Sequence, residues 1–149
     1  MDSSLRWNDG MEEQMIELDH ALIPVRDRVG AARELAWILG VAWSGESGIG
    51  PFSPVYVNDG LTLDFDEAEG DYPKLHYCFR VDEAGFDGIL GRLAEANIPF
   101  RSTPHGPNDS KVNTGYGGRI VYWNEPGGHV WEALTVSYAR DPRVHPASA

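Results

Sequence analysis

Basic charge is scarce in this chain. Only two of its 149 residues are lysine, and 23 Asp and Glu against 12 Lys and Arg leave a formal charge of −11. A surface so acidic repels phosphate, which excludes nucleic acid as a natural partner. Cysteine is scarcer still. The single thiol, Cys78, rules out an intramolecular disulfide, and a reducing cytoplasm is the expected setting. No apolar run approaches the roughly 18 to 20 residues that span a bilayer, so no membrane association is expected. The opening "MDSSLRWNDGMEEQ" has neither the basic nor the apolar region of a secretory signal. Residues 1–15 and 139–149 are expected to be loosely ordered tails, with one domain over 16–138.

What is there repeats itself. "DHALIPVRD" (19–27) reads as a strand ending in an acidic turn, and "VGAARELAWILG" follows it at helical spacing. "LHYCFRVDE" (75–83) is again such a strand, followed by the helical "FDGILGRLAEANI". Asp27 and Asp82 are the expected N-caps, and Gly40 the stop of the first helix. Each strand carries a histidine at the same place, His20 and His76. Further on, "VYVNDGLTLDF" (55–65) matches "VYWNEPGGHVWEA" (121–133) as strand, tight turn, strand. Placing the length difference in the turn sets Asp64 opposite Glu132. The chain is therefore expected to be α+β, two units of strand, helix and about three antiparallel strands. Their spans are about 16–67 and 73–138.

Side chains alternate across a strand, so parity assigns faces. Leu75, Tyr77, Phe79 and Val81 share one face; His76, Cys78 and Arg80 share the other. Leu61, Leu63 and Phe65 oppose Thr62, Asp64 and Asp66. Ala21, Ile23 and Val25 oppose His20, Leu22 and Pro24, while Glu132 goes with Val130 and Leu134. Apolar faces suit packing under the helices. If the sheets curl, their other faces wall a cup into which His20, Asp64, His76 and Glu132 project. A lone strand histidine is ordinarily a hydrogen-bonded structural residue, Asp64 beside Asp66 an exposed polar edge, and Glu132 a satisfied acid. Repeat symmetry, relating His to His and Asp to Glu, favours a metal site instead. Two imidazoles with one or two carboxylates suit divalent Fe, Mn, Ni, Co or Zn and leave positions open. His129 sits at a turn with parity opposite to Glu132, His105 lies in a Gly/Pro loop and His145 in the tail.

On "LDHALIPV", "KLHYCFRV" and "YWNEPGGHVWEALT", the chain resembles the vicinal oxygen chelate superfamily, the glyoxalase, bleomycin-resistance and extradiol-dioxygenase proteins. The resemblance covers about residues 16–138. Its strand-turn-strand ending has Glu125 where aspartate is usual and Gly127 where a polar residue is usual, both conservative for a turn. The resemblance implies paired βαβββ modules whose curled sheets form a cup around a divalent metal, the glyoxalase/bleomycin resistance/dihydroxybiphenyl dioxygenase fold. It implies His20, His76 and Glu132 as ligands. Asp64 falls at a fourth carboxylate position, a methylene shorter than the usual glutamate, and is expected to ligate directly, act through water or serve as a base. Glu132 and Asp64 are the candidate catalytic carboxylates. The superfamily pairs its modules within one chain or between two, and a homodimer is expected.

Such a site binds adjacent oxygens of a small substrate and stabilises developing negative charge, as in lyase, isomerase or dioxygenase chemistry. A phosphonate would want several cations, and only Arg80, Lys111 and Arg119 offer themselves. The loop 105–119 reads either as a flexible connection or as a lid presenting Asn113, Tyr116 and Arg119 to substrate. Trp43, Phe52, Tyr56, Tyr122 and Trp123 are expected in the core or the cup wall. Cys78 is expected to fill the cavity floor. The alternative to an enzyme is a metal-free protein that sequesters a small molecule, such as an antibiotic, in the same cup.

Overall fold

The computed structural model describes residues 15–139. The expectations for the two ends, and His145 with them, fall outside this span, apart from Met15 and Ala139 at its borders. The elements run β1 (His20–Val25), α1 (Arg28–Leu39), β2 (Ala42–Trp43), β3 (Ser53–Asn58) and β4 (Leu61–Glu67). A second set repeats the order: β5 (His76–Arg80), α2 (Glu83–Glu95), β6 (Phe100–Arg101), β7 (Ile120–Asn124) and β8 (Val130–Leu134). Both helices begin as the sequence predicts. The Asp27 carboxylate accepts from the Gly30 amide at 3.0 Å, and Asp82 from the Gly85 amide at 2.7 Å. Gly40 ends α1 at φ 75°, a left-handed conformation that costs a glycine little.

Each set folds into a four-stranded sheet, in the order β1-β4-β3-β2 and β5-β8-β7-β6. The first strand of each set pairs in parallel with its last, and the remaining pairs are antiparallel. The registers are equivalent: His20 stands beside Thr62 with Asp64 two residues on, and His76 beside Val130 with Glu132 two residues on. The internal repeat thus reappears as geometry. This α+β arrangement is not a closed barrel.

The two sheets share one core. Ile23, Val25 and Phe65 of the first unit and Phe86, Trp123, Trp131 and Ala133 of the second lie in a single buried cluster with α1 and α2. The rings of Phe65 and Trp131 meet edge-on at 6.2 Å across the units. Burying a side chain of this size stabilises by about 1.5–3 kcal/mol relative to leaving it exposed. A second, smaller cluster of Ile120, Tyr122, Val130 and Leu134 covers the other face of the second sheet. His129, fully buried, ties the units together. Its Nδ1 accepts from the Leu75 amide at 2.9 Å, which leaves Nε2 to donate to the Pro24 carbonyl at 2.6 Å.

Candidate metal centre

The alternation that turns Tyr77 and Trp131 into the core turns His76 and Glu132 together on the opposite face. His76 Nε2 lies 2.8 Å from Glu132 Oε1. Glu132 is 1% exposed, whereas the His76 ring is open on one side. Tyr138 donates its hydroxyl to Glu132 Oε2 at 2.6 Å, so both carboxylate oxygens have partners. Cys78 stands next to this carboxylate. Its thiol is pushed well above the ordinary range, first by burial and then by the Glu132 charge. Burial also raises the hydroxyls of Tyr122 and Tyr138, with Glu132 adding to both. Burial and the neighbouring Glu132 thus hold this thiol and both phenols neutral.

The first sheet presents the matching half. Asp19 Oδ2 lies 2.8 Å from His20 Nδ1, and this bond is the main cause of a raised His20 pKa. An imidazole whose Nδ1–H is held by a carboxylate offers the lone pair of Nε2. Asp64 is 9% exposed, and its Oδ1 is fully covered with no hydrogen-bond partner. Leaving such an acceptor unmade is costly, so an orphaned oxygen here is a place for a ligand.

The donors fit a divalent cation. His76 Nε2 and Glu132 Oε1 stand 2.8 Å apart on one face of the sheet, where both could hold a single ion. Imidazole nitrogen and carboxylate oxygen are the donors such ions take. The expected convergence of all four residues is found only pairwise in one chain. Among the described residues, no three His, Cys, Asp or Glu come together as a metal would require. The cause is the shared core: both sheets turn their apolar faces into it, so their polar faces cannot confront each other within the chain.

Each half borders a cavity. One of about 500 Å³ is lined by His20, Leu22, Ile49, Phe52, Tyr56 and Asp64, with no lysine or arginine. The other, about 300 Å³, is lined by Cys78, Arg80, Leu134 and Tyr138. Of the substrate candidates, Arg80 therefore lines a cavity, and Tyr116 stands beside it with its ring 5.7 Å from that of Tyr138. Asn113 is occupied elsewhere: its amide donates to the Ser102 carbonyl and its oxygen accepts from Gly115. Arg119 is bound to α2, 2.7 Å from Glu83 and 2.8 Å from Asp87, over the ring of Phe86. Phe52 and Tyr56 line the cup as expected, Trp123 is core, and Tyr122 belongs to the smaller cluster beside Glu132.

Three residues that matter here carry no place in the repeat. Asp19, adjacent to His20, was legible from the dipeptide alone as an orienting acid. Tyr138 reaches Glu132 from beyond the last strand, where no periodicity operates. Ile49 comes from the irregular segment between β2 and β3.

No family model and no curated protein matches the sequence. Solved structures do. Oxidase ChaP-H2 is 36% identical over 85% of this chain and 98% of its own, with a TM-score of 0.78. Oxidase ChaP-H1 is 38% identical over 84% and 99%, with a TM-score of 0.77. The glyoxylase/bleomycin resistance protein/dioxygenase domain from Frankia sp. EAN1pec shares the fold at 20% identity, covering 83% of this chain and all of that one (100%), TM-score 0.63. With its two βαβββ units, equivalent His-to-carboxylate registers and these relatives, the chain belongs to the vicinal oxygen chelate superfamily.

Proposed function

We propose that this protein is a divalent-metal-dependent oxidase or dioxygenase of a small, largely apolar molecule carrying adjacent oxygens, and that it works as a homodimer. The observation that carries the reading is the pairing of His76 with Glu132 at 2.8 Å, matched in the first sheet by His20 beside a covered, unpartnered Asp64 oxygen. Each chain holds two halves that its own core keeps apart. His20 and Asp64 of one copy would meet His76 and Glu132 of another, completing two equivalent sites. Leu22 at 50%, Ile49 at 83% and Tyr56 at 40% exposure leave an apolar face around the first half for a second copy and substrate to cover.

A divalent cation held there supplies a Lewis acid with open positions for two vicinal oxygens. The chain's own residues do the rest. Tyr138 fixes the Glu132 carboxylate, and Asp19 fixes the His20 ring. Asp64, which lines the first cavity beside His20, is the candidate to take the proton of a substrate hydroxyl. Leu22, Ile49, Phe52 and Tyr56 exclude water and orient an apolar ring. The absence of lysine and arginine from this wall disfavours phosphonates. The oxidases at 36% and 38% identity favour oxygen chemistry over hemithioacetal isomerisation. A single thiol accords with a reducing, cytoplasmic setting. Among the described residues no helix is long and apolar enough to cross a membrane. The retained donors speak against a metal-free sequestering protein.

Metal analysis of protein purified without chelator or immobilised nickel, followed by oxygen uptake with a catechol and hydroxyquinone series, tests the reading. Near-stoichiometric transition metal and metal-dependent uptake are expected. Less than about a tenth of an equivalent, with no uptake after reconstitution, would refute it.

A further inference from the structure

The cavities beside the two half-sites differ in charge. The first is lined by Asp19 and Asp64 and by no lysine or arginine. The second, of about 300 Å³, is lined by Arg80 and by no carboxylate; Leu134, Ser137 and Tyr138 are among its other members. Glu132 lies close by, but it is buried, both its oxygens are engaged, and it is not part of the wall.

Arg80 also differs from four other arginines of the chain. Arg26 and Arg92 donate to the carbonyls of Ala68 and Ile38, Arg101 to that of Pro104, and Arg119 is paired with Glu83 and Asp87. No ion pair among the described residues involves Arg80. Its planar fork of N–H donors is left for whatever enters the cavity. Ser137 stands at the same wall. Its Oγ accepts from the Ala139 amide at 3.2 Å, so its O–H remains to donate. Leu134 and the Tyr138 ring, which lies 5.7 Å from that of Tyr116, supply apolar surface around these two polar groups. Alternation along β5 puts Arg80 on the same face as His76, four residues and so about 13 Å away along the strand.

We infer that this cavity is a carboxylate-binding subsite in which Arg80 selects the substrate, and that the molecule oxidised in the function proposed above, on which this second part rests, is an aromatic acid. Guanidinium and carboxylate pair through two parallel N–H···O bonds, and Ser137 offers a third donor. A lone arginine matches the single charge of a carboxylate, not the double charge of a phosphonate. Asp19 and Asp64 repel an acid from the first cavity, so the charged end of the substrate is directed to the second. The separation of His76 and Arg80 along β5 leaves room for a ring with its oxygens at the metal and a short arm carrying the carboxylate to Arg80.

The test has two arms. In the first, which needs no metal, the full chain is titrated by amide NMR with cinnamate and with cinnamamide as the uncharged control. Saturable shifts at the Arg80 and Ser137 amides are expected with cinnamate, binding about tenfold weaker or worse with the amide, and no preference between them in Arg80→Gln. In the second, anaerobic binding to the metal-loaded protein is compared for caffeate and methyl caffeate. The acid should bind about tenfold or more tighter, again only with Arg80 in place. If both caffeates bind in a metal-dependent way but the carboxylate adds nothing in either arm, the subsite is overturned and the metal chemistry stands. If cinnamate binds through Arg80 but neither caffeate responds to metal, the metal chemistry fails and the subsite stands without it. A folded Arg80→Gln that keeps the preference for the acid overturns the subsite too. The wild-type preferences decide the matter by themselves if that variant does not fold.

Discussion

Glu132 owes its position to neighbours rather than to solvent. Tyr138 donates to one oxygen and His76 stands at the other, so the carboxylate cannot rotate without losing both. Replacing Tyr138 by Phe should leave the fold intact and weaken metal binding by about 10–100-fold, the usual range for a lost partner of a ligand, as read by competition with a metal-binding dye. Unchanged affinity would mean that Tyr138 is only a packing residue. His129 is the contrasting case. It has no role at the metal in this account and bridges two backbone groups from different units. His129→Ala should destabilise the metal-free protein by about 2–4 kcal/mol in urea unfolding, since it opens a cavity and orphans a buried amide and carbonyl. Parity separated these two residues in the sequence: Glu132 on the polar face, His129 with Trp131. What parity could not supply was Tyr138, because its contact with Glu132 depends on the path of the chain after β8 and not on any alternation within a strand.

At the scale of elements, the segment after β6 is tied to its surroundings by buried and charged side chains at its start. Arg101, 5% exposed, donates to the carbonyls of Thr103 and Pro104 and to the side chains of Asn108 and Asn124. Asp109 accepts from the Ser102 amide at 3.0 Å and from its hydroxyl at 2.5 Å. The Ser102 hydroxyl is the largest cause of a lowered Asp109 pKa. A carboxyl lowered in the folded state stabilises at pH values above its unfolded pKa of about 3.9, and that contribution is lost as pH falls through the folded value. Asp109→Asn should therefore unfold more easily than wild type at neutral pH, with the two melting curves converging in acid. Arg119→Ala, which removes the tie to α2, should lower stability only slightly and leave turnover nearly unchanged, as expected of an exposed ion pair. A large loss of turnover would return Arg119 to the substrate. The helices and their Asp caps were readable because capping is local chemistry. The course of 105–119 was not, because its anchors, Arg101 and Asn124, lie outside it in sequence.

At the scale of the whole molecule, the repeat fixes which residues are equivalent, while the shared core fixes which of them can meet. Two sheets that share a core through Phe65 and Trp131 present their polar faces outward, one carrying His20 and Asp64, the other His76 and Glu132. The four candidate residues could be named from strand parity and repeat alignment. Their division into two pairs could not, because it depends on how the units dock. The central claim is that a second copy unites the pairs. It is tested most directly by mixing His20→Ala and Glu132→Gln chains, unfolding and refolding them together, and measuring bound metal per chain. Each variant alone should hold none. Random reassortment places half of the chains in mixed dimers, in which one site carries both substitutions and the other neither. The mixture should then recover about a quarter of the wild-type metal. A mixture as empty as its components would contradict a site shared between copies.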